Sequence, residues 1–447
     1  MTHNTPEPDL GQSLISQYGQ WRRRGAILIW IAIGLLCIGT LIGAAWDSAH
    51  RAPLPVTPTA VMPLPTLTPI ALNAPDPSKV GIHFLLDDGR QSWETALWDE
   101  HFQAADRIVG KGGIAVQVVR SNDLRPHYWQ YFLDLCAIYE MTPVFRLSTT
   151  FHRQDRFWRV PHKDADGHYT SLARSYARFL SAMDWHGLTP YVVLLNETNN
   201  GLEWGGKPDP AEYARFVADT IPILRAVVPN ILILNAALDH YAPETYGEKI
   251  ETGYAYMAAG TYMDQMEQTV PGVFRLFDVW NSHPYPLGAF REPPWNTLYQ
   301  VDSRRGLPAP IVPEGVKNRG INSYEWELWK LSTFGVSPLP VLITETGWRY
   351  ASEMEGGDDA GEGYPTQAEV AAYFDLAMGG NEGRYPDLPD TGWTPWLRDP
   401  RVIGVSIFAL DGVPTKWGHT NLLNMTIDGR IASTTPMYDV LAKYQAQ

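Results

Sequence analysis

Two carboxylates stand directly after apolar runs: Glu197 follows YVVLLN at 191–196, and Glu345 follows PVLIT at 340–344. A charge at the end of a buried apolar run is costly unless it faces an open, hydrogen-bonded cavity. Such a pair suits cleavage of a glycosidic bond. One carboxylic acid protonates the leaving oxygen, and the other supports the developing oxocarbenium ion, as a nucleophile at a separation of about 5 Å or as a base acting through water if the gap is wider. The acid needs a raised pKa, which burial and a negative neighbour supply. An isolated Asn-Glu is a weak signal, because a Glu after a strand often caps a helix. ITETGW at 343–348 is more specific, and the two occur in order.

Eight short apolar runs are available to position these groups: 80–84, 114–119, 143–147, 191–195, 231–235, 277–283, 340–345 and 402–408. They are apolar throughout rather than alternating, as parallel strands covered on both faces require. Between them lie stretches with helical spacing, among them 171–184, where Leu172, Tyr176, Phe179, Leu180 and Met183 recur, and 211–227. Each gap is long enough for a helical crossover. The pattern predicts an α/β fold, a (β/α)8 TIM barrel over 79–447, in which Glu197 ends strand four and Glu345 ends strand seven. The active site then belongs at the C-terminal ends of the strands, and the long loops after strands six and seven should build the mouth of the cleft.

LLNE at 194–197 and ITETGW at 343–348 resemble the strand-four and strand-seven motifs of glycoside hydrolase clan A, the retaining (β/α)8 enzymes that include families 5, 39 and 53. The resemblance covers roughly 79–447 and implies Glu197 as acid/base and Glu345 as nucleophile. It further implies that Asn196 binds the 2-hydroxyl of the sugar at the cleavage point. His283 and Tyr285, in a His-x-Tyr pattern, would line the cleavage subsite, and Arg120 would steady the nucleophile. His283 also reads as a core histidine, and Arg120 equally as the structural partner of a buried carboxylate. Two departures stand out: Thr198 follows the acid/base where Pro is common, and SIFALDG in strand eight lacks the usual platform Trp. Phe408, Trp417 and Trp348 are the candidates to replace it.

Arg146 and Asp278 are further candidates for the polar barrel lining, without a named role. The acidic run at 353–362 lacks the spacing of an EF-hand loop and reads as a solvated loop. His152, His162 and His168 form no metal triad, so neither a metal nor a cofactor is expected. Cys136 falls in an apolar stripe with Trp129, Phe132 and Leu133 and reads as core, and with Cys37 in an apolar run no intrachain disulfide is expected.

The remaining sequence divides into a 1–25 tail, an apolar 26–46 segment and a Pro/Thr-rich linker at 47–78. AILIWIAIGLLCIGTLIGAA at 26–45 is long enough to span a bilayer as one transmembrane helix. Arg22, Arg23 and Arg24 precede it, which predicts a cytoplasmic N-terminus and an extracellular catalytic domain on a membrane anchor. The alternative is a signal peptide cleaved after Ala45. A net charge of −14 repels polyanions and argues against nucleic acid as a partner. Seventeen Trp and 22 Tyr offer flat faces for sugar rings, although aromatics also fill cores. The reading is therefore a retaining glycoside hydrolase acting on β-linked carbohydrate, with two alternatives: a catalytically silent carbohydrate-binding module, or a transglycosylase on the same fold.

Overall fold

A computed structural model of the chain describes residues 78–296, 319–351, 363–380 and 395–445. The 1–25 tail, the 26–46 apolar segment, residues 47–77 of the linker and the acidic run at 353–362 lie outside the described residues. Among the described residues, no helix is long and apolar enough to cross a membrane.

Eight parallel strands form the centre: β1 (Val80–Phe84), β2 (Ile114–Arg120), β3 (Thr142–Ser148), β4 (Tyr191–Leu194), β5 (Leu232–Leu234), β6 (Trp280–Ser282), β7 (Val341–Thr346) and β8 (Val402–Ile407). The ladder runs β5-β4-β3-β2-β1-β8-β7-β6. A single parallel bridge, Leu234 to Val279, joins its two ends and nearly closes the barrel. Asp278, expected in the polar lining, instead precedes β6 and serves this closure. Its carboxylate accepts the Ile233 amide at 2.9 Å and an Arg225 N–H at 2.8 Å.

Helices α1 (Trp98–Val109), α2 (Pro126–Ile138), α3 (Thr170–Ser181), α4 (Pro210–Val227), α5 (Ala259–Thr269), α6 (Tyr324–Thr333), α7 (Gln367–Gly379) and α8 (Pro436–Leu441) follow the strands. Local chemistry sets their starts. Asp209 accepts the Glu212 amide at 3.0 Å ahead of Pro210, and Thr366 with Glu369 makes a reciprocal cap for α7. Trp98, Trp129, Phe145, Tyr213, Trp280 and Trp396 pack between strands and helices in one continuous core that also holds Cys136.

The barrel interior is layered by the two-residue period of the strands. A lower layer is apolar: Ile114, Val116, Val144, Val193, Leu234, Val279 and Leu342 form their own cluster. A Cβ added to Gly404 would run into the side-chain tips of Ile114 and Leu342, so a larger residue there would force this layer to repack. Two residues further along three of these strands the inward positions become polar: Val144 gives way to Arg146, Val279 to Asn281 and Leu342 to Thr344. That upper layer is the floor of the site.

Candidate active site

Glu197 and Glu345 reach the same space from β4 and β7. An oxygen of each carboxylate and a ring nitrogen of His283 all lie within 4.8 Å of one another. The chain is turned sharply to achieve this. Leu195 and Glu197 both take positive φ, 71° and 34°, a conformation that costs a non-glycine residue about 1–3 kcal/mol and persists only when neighbours hold it. The following turn is pinned to the next loop: the Asn199 side chain donates to Asp239 O at 2.8 Å and accepts the Asp239 amide at 2.8 Å.

Glu345 is buried among donors. An Arg146 N–H donates to its Oε1, and the Tyr285 hydroxyl donates to Oε2 at 3.2 Å. His83 Nδ1 stands 3.6 Å from Oε1. Burial alone would raise the Glu345 pKa, but the positive charge of Arg146, the imidazoles of His283 and His83, and the Tyr285 hydrogen bond outweigh it and lower the value to about 2. Burial keeps His83 neutral, with a pKa lowered to about 3 despite the pull of Glu345.

Glu197 has the opposite environment. Burial raises its pKa, and the charges of Asp239 and Glu345 add to that rise, while His283 Nδ1 at 2.9 Å from Oε1 opposes it. His283 is itself held upright: its Nε2 lies 3.0 Å from Thr344 Oγ1, which donates to Asn281 Oδ1 at 2.7 Å. The hydroxyl is committed to Asn281, so Nε2–H donates to Thr344 Oγ1, and Glu197 interacts with Nδ1. The two carboxylates are thereby pushed apart in acidity, one kept ionised and the other biased toward the acid form.

Of the other residues expected at the site, Asn196 is placed there, its Oδ1 accepting an Arg146 N–H at 2.9 Å, as are His283 and Tyr285. Arg120 is not brought to Glu345. Its guanidinium donates to Asp87 at 3.0 Å and Asp123 at 3.2 Å, and the guanidinium at Glu345 is that of Arg146 on the adjacent strand. The register explains this: Arg146 pairs with Val118, so Arg120 lies two residues nearer the rim. Trp348 is also elsewhere, 2% exposed and packed against Phe374 and Trp396, its indole N–H donating to Glu292 O at 2.8 Å. Trp417 lies on the rim, its ring edge-on to Phe408 at 5.1 Å. Phe408 itself stands edge-on to His83 at 5.1 Å.

Glu203, in the loop after β4, was not singled out by the sequence. Its amide donates to Asn200 O at 2.9 Å, while its carboxyl makes no hydrogen bond or ion pair with any described residue, yet interacts electrostatically with Arg146, Glu197, Arg90 and Glu345. Burial, with Glu197 and Glu345, raises its pKa to about 7 against the pull of Arg146 and Arg90. Among the described residues, Glu197, His283 and Glu345 are the one group spaced to hold a metal ion. A cation there would face the Arg146 guanidinium, which already neutralises Glu345.

No family model and no curated protein matches the sequence. Among solved structures, a family 39 glycoside hydrolase from the gut symbiont Bacteroides cellulosilyticus WH2 is similar, with a TM-score of 0.51 and 14% identity. The match covers 83% of this chain and 64% of that one. A glucosidase from Croceicoccus marinus (TM-score 0.47, 10% identity, 83% of this chain and 67% of that one) and a structure of fungal β-1,4-galactanases (TM-score 0.46, 12% identity, 82% and 99%) match more loosely. The likeness in fold rests on the first of these. The chain has the (β/α)8 barrel found in clan A glycoside hydrolases, the fold that its eight apolar runs predict.

Proposed function

We propose that the chain is a retaining glycoside hydrolase that cleaves β-linked poly- or oligosaccharide by double displacement. The observation that carries this reading is the approach of the two carboxylates within 4.8 Å. This matches the separation of about 5 Å expected when the second carboxylate attacks the sugar directly and leaves no room for an intervening water. The opposed acidities support the same division of labour.

In the first step Glu345 Oε attacks the anomeric carbon while Glu197 gives its proton to the leaving oxygen, forming a glycosyl ester and releasing the shortened chain. In the second step Glu197, now a carboxylate, takes a proton from water, whose oxygen displaces Glu345 and restores the starting charges. Arg146 and Tyr285 keep Glu345 ionised and oriented between turnovers. In this reading Asn196, whose Oδ1 is held by Arg146, binds the 2-hydroxyl. The run at 26–45 supports a membrane anchor that holds this domain outside the cell.

The test is to trap the glycosyl ester. Full-length protein is incubated with activated 2-deoxy-2-fluoro aryl β-glycosides of glucose, mannose, galactose and xylose, and digested for peptide mass mapping. A single sugar adduct on Glu345 is expected. An adduct on another residue, or turnover with inversion at the anomeric carbon, contradicts the proposal.

A further inference from the structure

Strands β4 and β7 lead to the two carboxylates, Glu197 just beyond β4 and Glu345 within β7, and divide the rim of the barrel into two arcs, β5–β6 on one side and β8-β1-β2-β3 on the other. A glycan chain bound with its scissile bond between Glu197 and Glu345 has to leave through both arcs if it is cut internally. Along the longer arc the loops are stitched to one another without a break. The Val413 amide after β8 donates to Gln91 Oε1 after β1 at 2.8 Å, and Arg120 at the end of β2 donates to Asp87 after β1. Arg153, in the hairpin after β3, donates to Gly89 O at 3.0 Å. Trp158 of the same hairpin exchanges backbone hydrogen bonds with the loop after β4, donating to Leu202 O and accepting from the Gly205 amide, both at 2.7 Å.

One guanidinium sits where three of these loops meet. Arg90 lies 5.2 Å from the ring centre of Trp417, 5.5 Å from Trp158 and 5.9 Å from Phe151. Asp88 fixes it, its Oδ2 accepting from Nε at 2.6 Å and pairing with Nη2 at the same distance. With the side chain only 12% exposed, Arg90 fills the gap between the loops like a keystone. Its charge and those of Glu345 and Glu203 act on one another. Arg90 and Glu203 nevertheless form no ion pair with one another. Glu203 lies between Leu202 and Gly205, the two residues bonded to Trp158 on whose ring Arg90 packs, so guanidinium and carboxyl belong to one stretch of the wall and can offer a donor and an acceptor to the hydroxyls of a sugar ring.

Resting on the glycosidase reading, we propose that this wall ends the cleft on the Glu345 side, so that the enzyme removes sugar from chain ends, with Arg90 and Glu203 holding the terminal unit. The sugar carried on Glu345 in the covalent intermediate is then the non-reducing end of the substrate.

The test uses full-length protein and β-1,4-linked hexasaccharides of glucose, mannose, galactose and xylose tagged with 2-aminobenzamide at the reducing end. At early conversion the wild type should shorten the tagged chain by one fixed step from the untagged end. Arg90→Ala should release tagged fragments of several lengths, and its kcat/KM on polymer relative to an aryl monoglycoside should rise by about tenfold. Glu203→Gln, which leaves the wall in place, should raise KM for the aryl monoglycoside by about tenfold with little change in kcat. Mixed tagged fragments from the wild type overturn the wall. Strict end cleavage by Arg90→Ala overturns the role of Arg90, and an unchanged KM in Glu203→Gln overturns the terminal subsite. Failure to cleave any tagged chain or aryl glycoside refutes the glycosidase reading itself, and the proposal with it.

Discussion

Removing Arg146 probes the electrostatics of the site most sharply. Its guanidinium is the largest favourable influence on the Glu345 carboxylate, and it also holds Asn196 at 2.9 Å. Glu345 is lowered from 4.5 to about 2. At about 1.4 kcal/mol per tenfold change, this corresponds to stabilisation of the ionised folded state on the order of 3 kcal/mol. Because the folded value is depressed, that stability is present above pH 4.5 and is lost as pH falls toward 2. In Arg146→Ala the cost of burial is no longer outweighed, so the Glu345 pKa should rise past 4.5 and carry the acidic limb of kcat/KM with it. At pH 3.5 the wild type should keep most of its pH 6 activity, while the variant loses about tenfold relative to its own pH 6 value. At pH 6 the variant should also be slower by about 10- to 100-fold through lost orientation, and less stable by about 3–5 kcal/mol because a buried partner is missing. Arg146→Lys keeps the charge and should leave the acidic limb low. The assay is aryl β-glycoside hydrolysis over pH 3 to 7 with thermal melts at both ends. An acidic limb in Arg146→Ala that overlays the wild type would refute the reasoning.

Three further outcomes follow from neighbouring contacts. His283→Ala removes the group that opposes the raised Glu197 pKa, so the basic limb of kcat/KM should move to higher pH while kcat falls; a shift to lower pH contradicts the assignment. Trp348→Phe should lower Tm by a few degrees, through a loss of about 1–3 kcal/mol, and leave KM unchanged; a raised KM would return Trp348 to the sugar platform. His101 lies between Asp411 Oδ2 at 2.7 Å and Gly429 O at 2.8 Å, and these acceptors outweigh burial and raise its pKa above 6.5. The stability it contributes is full below pH 6.5 and lost as pH rises through the raised value, so Tm should fall on the alkaline side in the wild type and less in His101→Gln.

The strands were legible because buried parallel strands leave unbroken apolar runs, and YVVLL and PVLITE by themselves put both carboxylates at strand ends. The arginine beside Glu345 was not legible in the same way. PVFRL and IAVQVVR both carry an Arg near their C-terminal end, and only the pairing of Val118 with Arg146 shows which of the two lies level with the site. Asp278 follows the same logic, since its place before β6 and its bond to Ile233 depend on how the barrel closes. Trp348 and Trp417 differ only in what packs over them, which is a tertiary property. Arg90 and Glu203 sit in loops with no periodicity, and their meeting at the rim is set by hydrogen bonds between distant loops. Residues 26–46, the proposed anchor, lie outside the described residues.

The division of roles between the two glutamates is tested most directly by Glu345→Ala assayed on an activated aryl β-glycoside, with and without sodium azide. Turnover without azide should fall by roughly four orders of magnitude or more. With azide it should recover and give a glycosyl azide of the opposite anomeric configuration, because the ion attacks from the face that Glu345 vacated. Near wild-type turnover without azide, or a rescued product that retains the configuration of the substrate, would contradict the account.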